Sequence, residues 1–203
     1  MKKNFRCSRS SLVRTAYHEA AHAVVGYLVG ATVCSIVVYN PPLESGLRGR
    51  CDYGFGPADN ELELIATLAG HVSEAIRSKR NLTWASLRFT DDYYTFRELF
   101  RRIHNLTDGE DVHISWDKPI AKYIAYMSAR IKVQYLEPNW HLVERVAEEL
   151  LNKAQVTASD FLTLVDEDLC GMLAPGRPGS PAPLNLNPSL FTVNRWMSDQ
   201  RPE

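Results

Sequence analysis

His18, Glu19 and His22 lie one helical turn apart in TAYHEAAHAVVGYLVG, an otherwise apolar run from Thr15 to Gly30. Successive residues of an α-helix advance by about 100°, so positions four apart differ by only ~40° and one turn of rise. Both imidazoles then reach a single metal ion. Glu19 sits about 60° aside from His22, too far round for a natural third ligand but well placed to touch a water on that metal. Two neutral nitrogens holding zinc and a carboxylate taking a water proton are the chemistry of an H-E-x-x-H helix. Zinc lowers the pKa of such a water to roughly 7, which supplies a hydroxide-like nucleophile at neutral pH. The competing reading is a buried helix whose histidines are satisfied by other partners.

Catalytic zinc takes a third protein ligand and keeps one position open. Spacing alone offers Glu61, Glu63, Glu74, Asp91, Asp92, His71 and His104 for that role and does not choose among them. The four cysteines, Cys7, Cys34, Cys51 and Cys170, are far apart and form no CxxC pair. They argue against a Cys-type zinc site and a disulfide framework, and they suit a reducing compartment. A Cys34–Cys51 pair across a hairpin is the alternative.

The elements that must position these residues follow from periodicity. A helix is predicted from Ser11 to Val29, with Leu12, Ala16, Ala20, Ala23, Val24 and Tyr27 on one face and Gly30 as its stop. ATVCSIVVYN is β-branched and reads as a strand, PPLESGLRG as a turn, and RCDYGF as a returning strand. Asn60 to Ser78 is a second helix with a Leu64, Leu68, Val72 and Ala75 stripe, and Asp91 caps a third with Phe96, Leu99 and Ile103 inward. DGEDVHISWD reads as a loop. Pro119 opens a fourth helix, Pro138 a fifth, and Thr157 with Asp160 resembles a capping box before a short last helix.

The chain has 203 residues, 45% of them hydrophobic and 23% charged, with a formal net charge of −1. That balance gives no bulk electrostatic reason for binding nucleic acid or an anionic membrane. The basic start lacks the apolar region of a secretory signal, and the apolar stretch near Ala20 to Val38 is broken by glycines and histidines. No membrane span and a cytoplasmic location are expected. The expected organisation is an N-terminal extension (1–10), a mainly α domain with a small β-hairpin or meander (11–168), and a Pro/Gly-rich flexible tail (169–203) whose SLFTVNRWM segment is apolar enough to dock.

AYHEAAHAVVGYLVG resembles the zinc motif of the FtsH-type (M41) peptidase domain, HEAGHA followed by a short apolar run. IATLAGHVSEAI is similar to that family's LxGRxAEE helix, and RFTDDYYTFRELFRR to its SNDLxxATxLAR segment, whose aspartate is the third zinc ligand. Matching Leu99 and Arg101 to the Leu and Arg of that segment puts the ligand on Asp92. NWHLVERVAEELLNKAQVTASDFLTLV looks like the family's C-terminal helices, so the likeness covers about Leu12 to Val165.

The resemblance implies a zincin-like helical peptidase domain. Zn2+ would sit on His18, His22 and Asp92, and Glu19 would be catalytic. The substrate would be a peptide or an unfolded protein. It further implies that the strand after the zinc helix lines the cleft as an edge strand to which a peptide adds; an ordinary paired strand is the equal alternative.

Three residues depart from the family pattern or qualify it. Ala21 stands for a glycine and would crowd the metal helix. His71 stands for an arginine and reads as a surface residue. Glu74 matches a family acid and reads as a supporting group rather than a ligand. Tyr93 and Tyr94, beside Asp92, read as core residues ahead of oxyanion donors. No GxxxxGK[ST] loop is present, so any ATPase unfolding motor would be a separate partner. The family works as a hexameric ring, but its ATPase part helps to form it, so a homo-oligomer and a monomer are equally compatible here. The rival function is a non-catalytic zinc-containing binding or regulatory module that keeps this fold.

Overall fold

In a computed structural model, residues 9–56, 60–80, 82, 87, 90–104 and 117–172 are described. The expectations for residues 1–8, for the 108–116 loop and for the tail from 173 onward lie outside them. Helix α1 (Arg9–Leu28) ends in a glycine stop, as the sequence suggests. Gly30 takes φ +95°, its N–H bonds Tyr27 O at 3.0 Å, and Ala31 N–H bonds Gly26 O at 2.8 Å. This Schellman pair satisfies the last carbonyls and turns the chain directly into the sheet. Ala16, Ala20, Ala23 and Val24 are buried on α1, and their small size lets neighbouring helices approach closely.

Strands β1 (Thr32–Val38), β2 (Gly49–Gly54) and β3 (Gln155–Thr157) form an antiparallel sheet in the order β2-β1-β3. Ile36 faces Cys51 on one side and Val156 on the other, and the register slips between Val33 and Ser35. The strand following α1 is therefore central and paired on both sides. The edge-strand expectation for it does not hold, because the three-residue β3 pairs with it. β3 escaped the sequence reading because three residues carry no detectable alternation. Cys34 and Cys51 are free thiols, so the hairpin disulfide is not formed.

Helix α2 (Asn60–Ser78) has the expected bounds but is buried along every residue from Leu64 to Ser73. It runs between α1, α3 (Asp91–Ile103) and α4 (Asp117–Ile131), which cover it on all sides. Helix α3 turns Phe96, Leu99 and Phe100 inward. Its N-cap is Thr90 rather than the expected Asp91, so Asp91 and Asp92 fall in the first turn, where the helix dipole favours carboxylates.

Helix α4 passes into a π-helical turn, Lys132–Leu136, and then α5 (Trp140–Lys153) buries Leu142, Val143, Val146, Ala147 and Leu150. Trp140 stacks on Tyr17 with ring centroids 5.9 Å apart. Before α6 (Ala158–Met172) the capping box forms: Asp160 N–H bonds Thr157 Oγ1 and Thr157 N–H bonds Asp160 Oδ2, both at 3.3 Å.

The chain divides into two units, Met1–Val165 and Asp166–Glu203, and in the second only Asp166–Met172 is described, as helix. The described fold is mainly helical with a small antiparallel sheet. No helix among the described residues is long and apolar enough to cross a membrane.

Phe161 is 0% exposed and packs edge-on to Tyr27 with ring centroids 5.6 Å apart, joining the start of α6 to α1. Phe161→Ala is expected to lower stability by about 3–5 kcal/mol, read as a shift in the denaturant midpoint. A loss below about 1 kcal/mol would show that α6 is not anchored there.

Candidate metal centre

Three elements meet at one point. Helix α1 presents His18 and His22, α3 presents Asp92 from its first turn, and α2 passes behind all three. His18 Nε2 lies 3.0 Å from His22 Nε2 and 3.0 Å from Asp92 Oδ2, and His22 Nε2 lies 3.5 Å from the same oxygen. Ligand atoms on a tetrahedral zinc about 2.0–2.1 Å away would be about 3.3 Å from one another. The observed spacings bracket that value.

The proton positions decide what this cluster needs. His22 Nδ1 is 2.8 Å from the carbonyl of Ala66, which only accepts, so Nδ1 is the donor and the lone pair of the neutral ring is on Nε2. His18 Nδ1 donates to Glu74 Oε1 at 2.9 Å, which gives that ring the same arrangement. Two nitrogen lone pairs and a carboxylate oxygen thus converge with no donor among them. A cation shared by the three, either a proton or a metal ion, would offset the repulsion between their lone pairs.

A glycine keeps the space in front of the two imidazoles clear. A Cβ at Gly70 on α2 would overlap His22 Nε2 and lie 2.7 Å from His18 Nε2. A second glycine serves Glu19: a Cβ at Gly49, where β2 begins, would lie 2.6 Å from Glu19 Oε1. The strand can therefore close over the carboxylate, which is only 7% exposed. The residues of the centre open into a cleft of about 950 Å3, with Arg48, Gly49, Arg50 and Tyr53 along one wall and Asp91 and Thr95 on another.

Electrostatics follow from this packing. Burial alone would hold the His18 pKa down, but hydrogen bonds to Asp92 and Glu74 push it well above the usual histidine value. Burial works to raise Asp92, yet the imidazoles of His22, His18 and His71 gathered around its carboxylate hold it well below the usual carboxylate value. Glu74 is likewise lowered, its burial outweighed by the His18 hydrogen bond. Glu19 goes the other way: burial raises its pKa, with the two histidines partly offsetting.

The structure brings together all four residues singled out for the site, His18, Glu19, His22 and Asp92. Among the other spacing candidates, Glu74 supports His18, as expected, and Asp91 lines the cleft. Glu61 pairs with Arg130 at 3.1 Å, and His104 packs against Phe100 and Tyr123. His71 is corrected. It is 6% exposed, and its Nε2 is 3.0 Å from Asp92 Oδ2. It was missed because the Leu64, Leu68 and Val72 stripe describes one face of α2, whereas the helix is covered all round. Ala21 is buried in the core and is not among the residues lining the cleft. Tyr94 is 65% exposed rather than packed in the core, and Tyr93 packs partly against it. The sequence reading also missed Gly49, Thr90 and the Ala66 carbonyl. A glycine inside a helix, Gly70, was the available signal of close approach.

No protein-family model matches the chain, and no curated protein matches it significantly.

A proton and zinc compete for the His18 Nε2 lone pair. Hydrogen bonds to carboxylates raise the His18 pKa, which strengthens the proton in that competition. Zinc affinity is therefore expected to rise with pH, with protons released as the ion binds. Calorimetry in buffers of different ionisation heat reads this directly; a binding heat independent of buffer would refute it. In a second test, Gly70→Ala is expected to weaken zinc binding by more than the roughly 10–100-fold seen on losing an outer partner, measured by competition with a chromophoric chelator. Unchanged affinity would mean the ion sits elsewhere.

Proposed function

We propose that the chain is a zinc-dependent metallopeptidase, similar to the M41 peptidase domain, that hydrolyses peptide bonds in extended or unfolded protein segments. The observation that carries the reading is the convergence of His18 Nε2, His22 Nε2 and Asp92 Oδ2 beside a buried carboxylate, Glu19, at the inner end of an open cleft. Zinc bound there would polarise the peptide carbonyl and make a water acidic.

The chain's own groups do the rest. Glu19 accepts the proton of the attacking water and delivers it to the leaving amine, a task that suits a carboxylate whose pKa burial has raised. Gly49 keeps β2 close over that carboxylate and excludes bulk water from it. Strand β2 is one of the two outer strands of the sheet, and its residues line the cleft. An extended peptide would pair with the edge of β2 that no described strand covers, through backbone hydrogen bonds, giving broad sequence tolerance. Folded substrates would need a separate unfolding partner, and a cytoplasmic setting fits the free thiols.

Glu19→Gln is expected to keep zinc and to lose about 10²–10⁴-fold in turnover of casein or an unfolded peptide. Zinc content and cleavage measured on the same preparations test this. Zinc bound by the wild type without cleavage of any unfolded substrate would turn the assignment to a non-catalytic zinc module of the same fold.

A further inference from the structure

His71 is a fourth donor-bearing side chain at the centre, and two roles are open to it by position: a fourth ligand, which would close the coordination sphere, or a support for Asp92. Its hydrogen bonds choose between them. Nε2 lies 3.0 Å from Asp92 Oδ2 and 3.2 Å from Thr90 Oγ1. The Thr90 hydroxyl has a single proton, and it is directed to the carbonyl of Leu87 at 2.7 Å. Toward His71 the hydroxyl oxygen is therefore an acceptor, as the Asp92 carboxylate also is. With acceptors on both sides, Nε2 carries the proton and has no lone pair to give a metal.

Thr90 pays a local penalty for this arrangement. It is the N-cap of α3, yet its side chain makes no capping hydrogen bond. A threonine there normally accepts from the first turn; this one is turned toward Leu87 and His71 instead.

Helix α2 thus provides one outer partner for each ligand. The Ala66 carbonyl holds His22, Glu74 holds His18, and His71 holds Asp92. We propose that His71 is a positioning residue: its Nε2–H holds the metal-facing oxygen of Asp92, so the ion has three protein ligands and keeps its fourth position open. This rests on the zinc reading above and deepens it, because an open position separates a catalytic centre from a closed structural one. His71 also lies with His18 and Glu74 in a second group of potential ligand atoms within 4.8 Å of one another. In that group His18 Nδ1 donates to Glu74, and His71 Nε2 donates outside it, to Asp92.

The test compares wild type, His71→Gln and His71→Leu. Glutamine places an amide N–H near the position of Nε2, and leucine removes the donor. Zinc affinity is measured by chelator competition, and the Co2+-substituted proteins are compared by visible absorption, with thermal unfolding of the metal-free forms confirming that each variant folds. The expected result is a loss of about 10–100-fold in zinc affinity for His71→Leu, recovery of most of it in His71→Gln, and the same Co2+ spectrum for wild type and His71→Gln. Wild-type affinity in His71→Leu would overturn the proposal while leaving the zinc reading intact. So would a Co2+ spectrum showing one nitrogen ligand fewer in His71→Gln, or uptake of a second equivalent of metal that depends on His71. Failure of the wild type to bind zinc would sink both readings together.

Discussion

Three hydrogen-bond acceptors pointed at one another are the constraint on which the rest of the molecule depends. His18 Nε2, His22 Nε2 and Asp92 Oδ2 lie 3.0–3.5 Å apart, and each ring has its other nitrogen committed as a donor. Left without a cation, such a group would repel itself. The fold holds it from outside. Helix α1 fixes the two rings one turn apart, the first turn of α3 brings a carboxylate to the positive end of a helix dipole, and α2 supplies the outer partners.

That burden explains features of α2 that would otherwise weaken a helix. It buries Thr67, His71 and Ser73 and contains Gly70, a residue that costs about 1 kcal/mol against alanine in a helix interior. Each has a local reason. Gly70 clears the space in front of the imidazoles, His71 bonds Asp92, Ser73 bonds the Gly70 carbonyl at 2.7 Å, and Thr67 lies 3.4 Å from the Tyr53 hydroxyl. The apolar neighbours Leu64, Ile65, Leu68 and Val72 bind the helix into the core and stabilise what the polar positions do not. Between them they make α2 the rigid backing of the centre, as precise placement of ligands demands.

Legibility in the sequence followed the range of the interactions. The pairing of His18 with His22, and the place of Glu19 beside them, depend only on helical geometry, so they could be read from a short segment. Among the described elements two strands and a helix separate Asp92 from them, and no spacing rule selects it over Asp91 or Glu63; only its likeness to a known motif pointed there. The helix bounds of α2 and the capping box at Thr157 and Asp160 were visible because caps and periodicity are local. The burial of His71 was not, since it depends on α3 and α4 closing over α2. Nor could β1 be recognised as a central strand, because its second neighbour is a three-residue strand contributed from far along the chain.

The most direct test is an anomalous difference map at the zinc absorption edge from crystals of the full chain grown with zinc. The account expects one strong peak within coordination distance of His18 Nε2, His22 Nε2 and Asp92 Oδ2, with His71 outside the coordination sphere. A peak elsewhere, or Asp92 turned away from the two imidazoles with no metal between them, would contradict it.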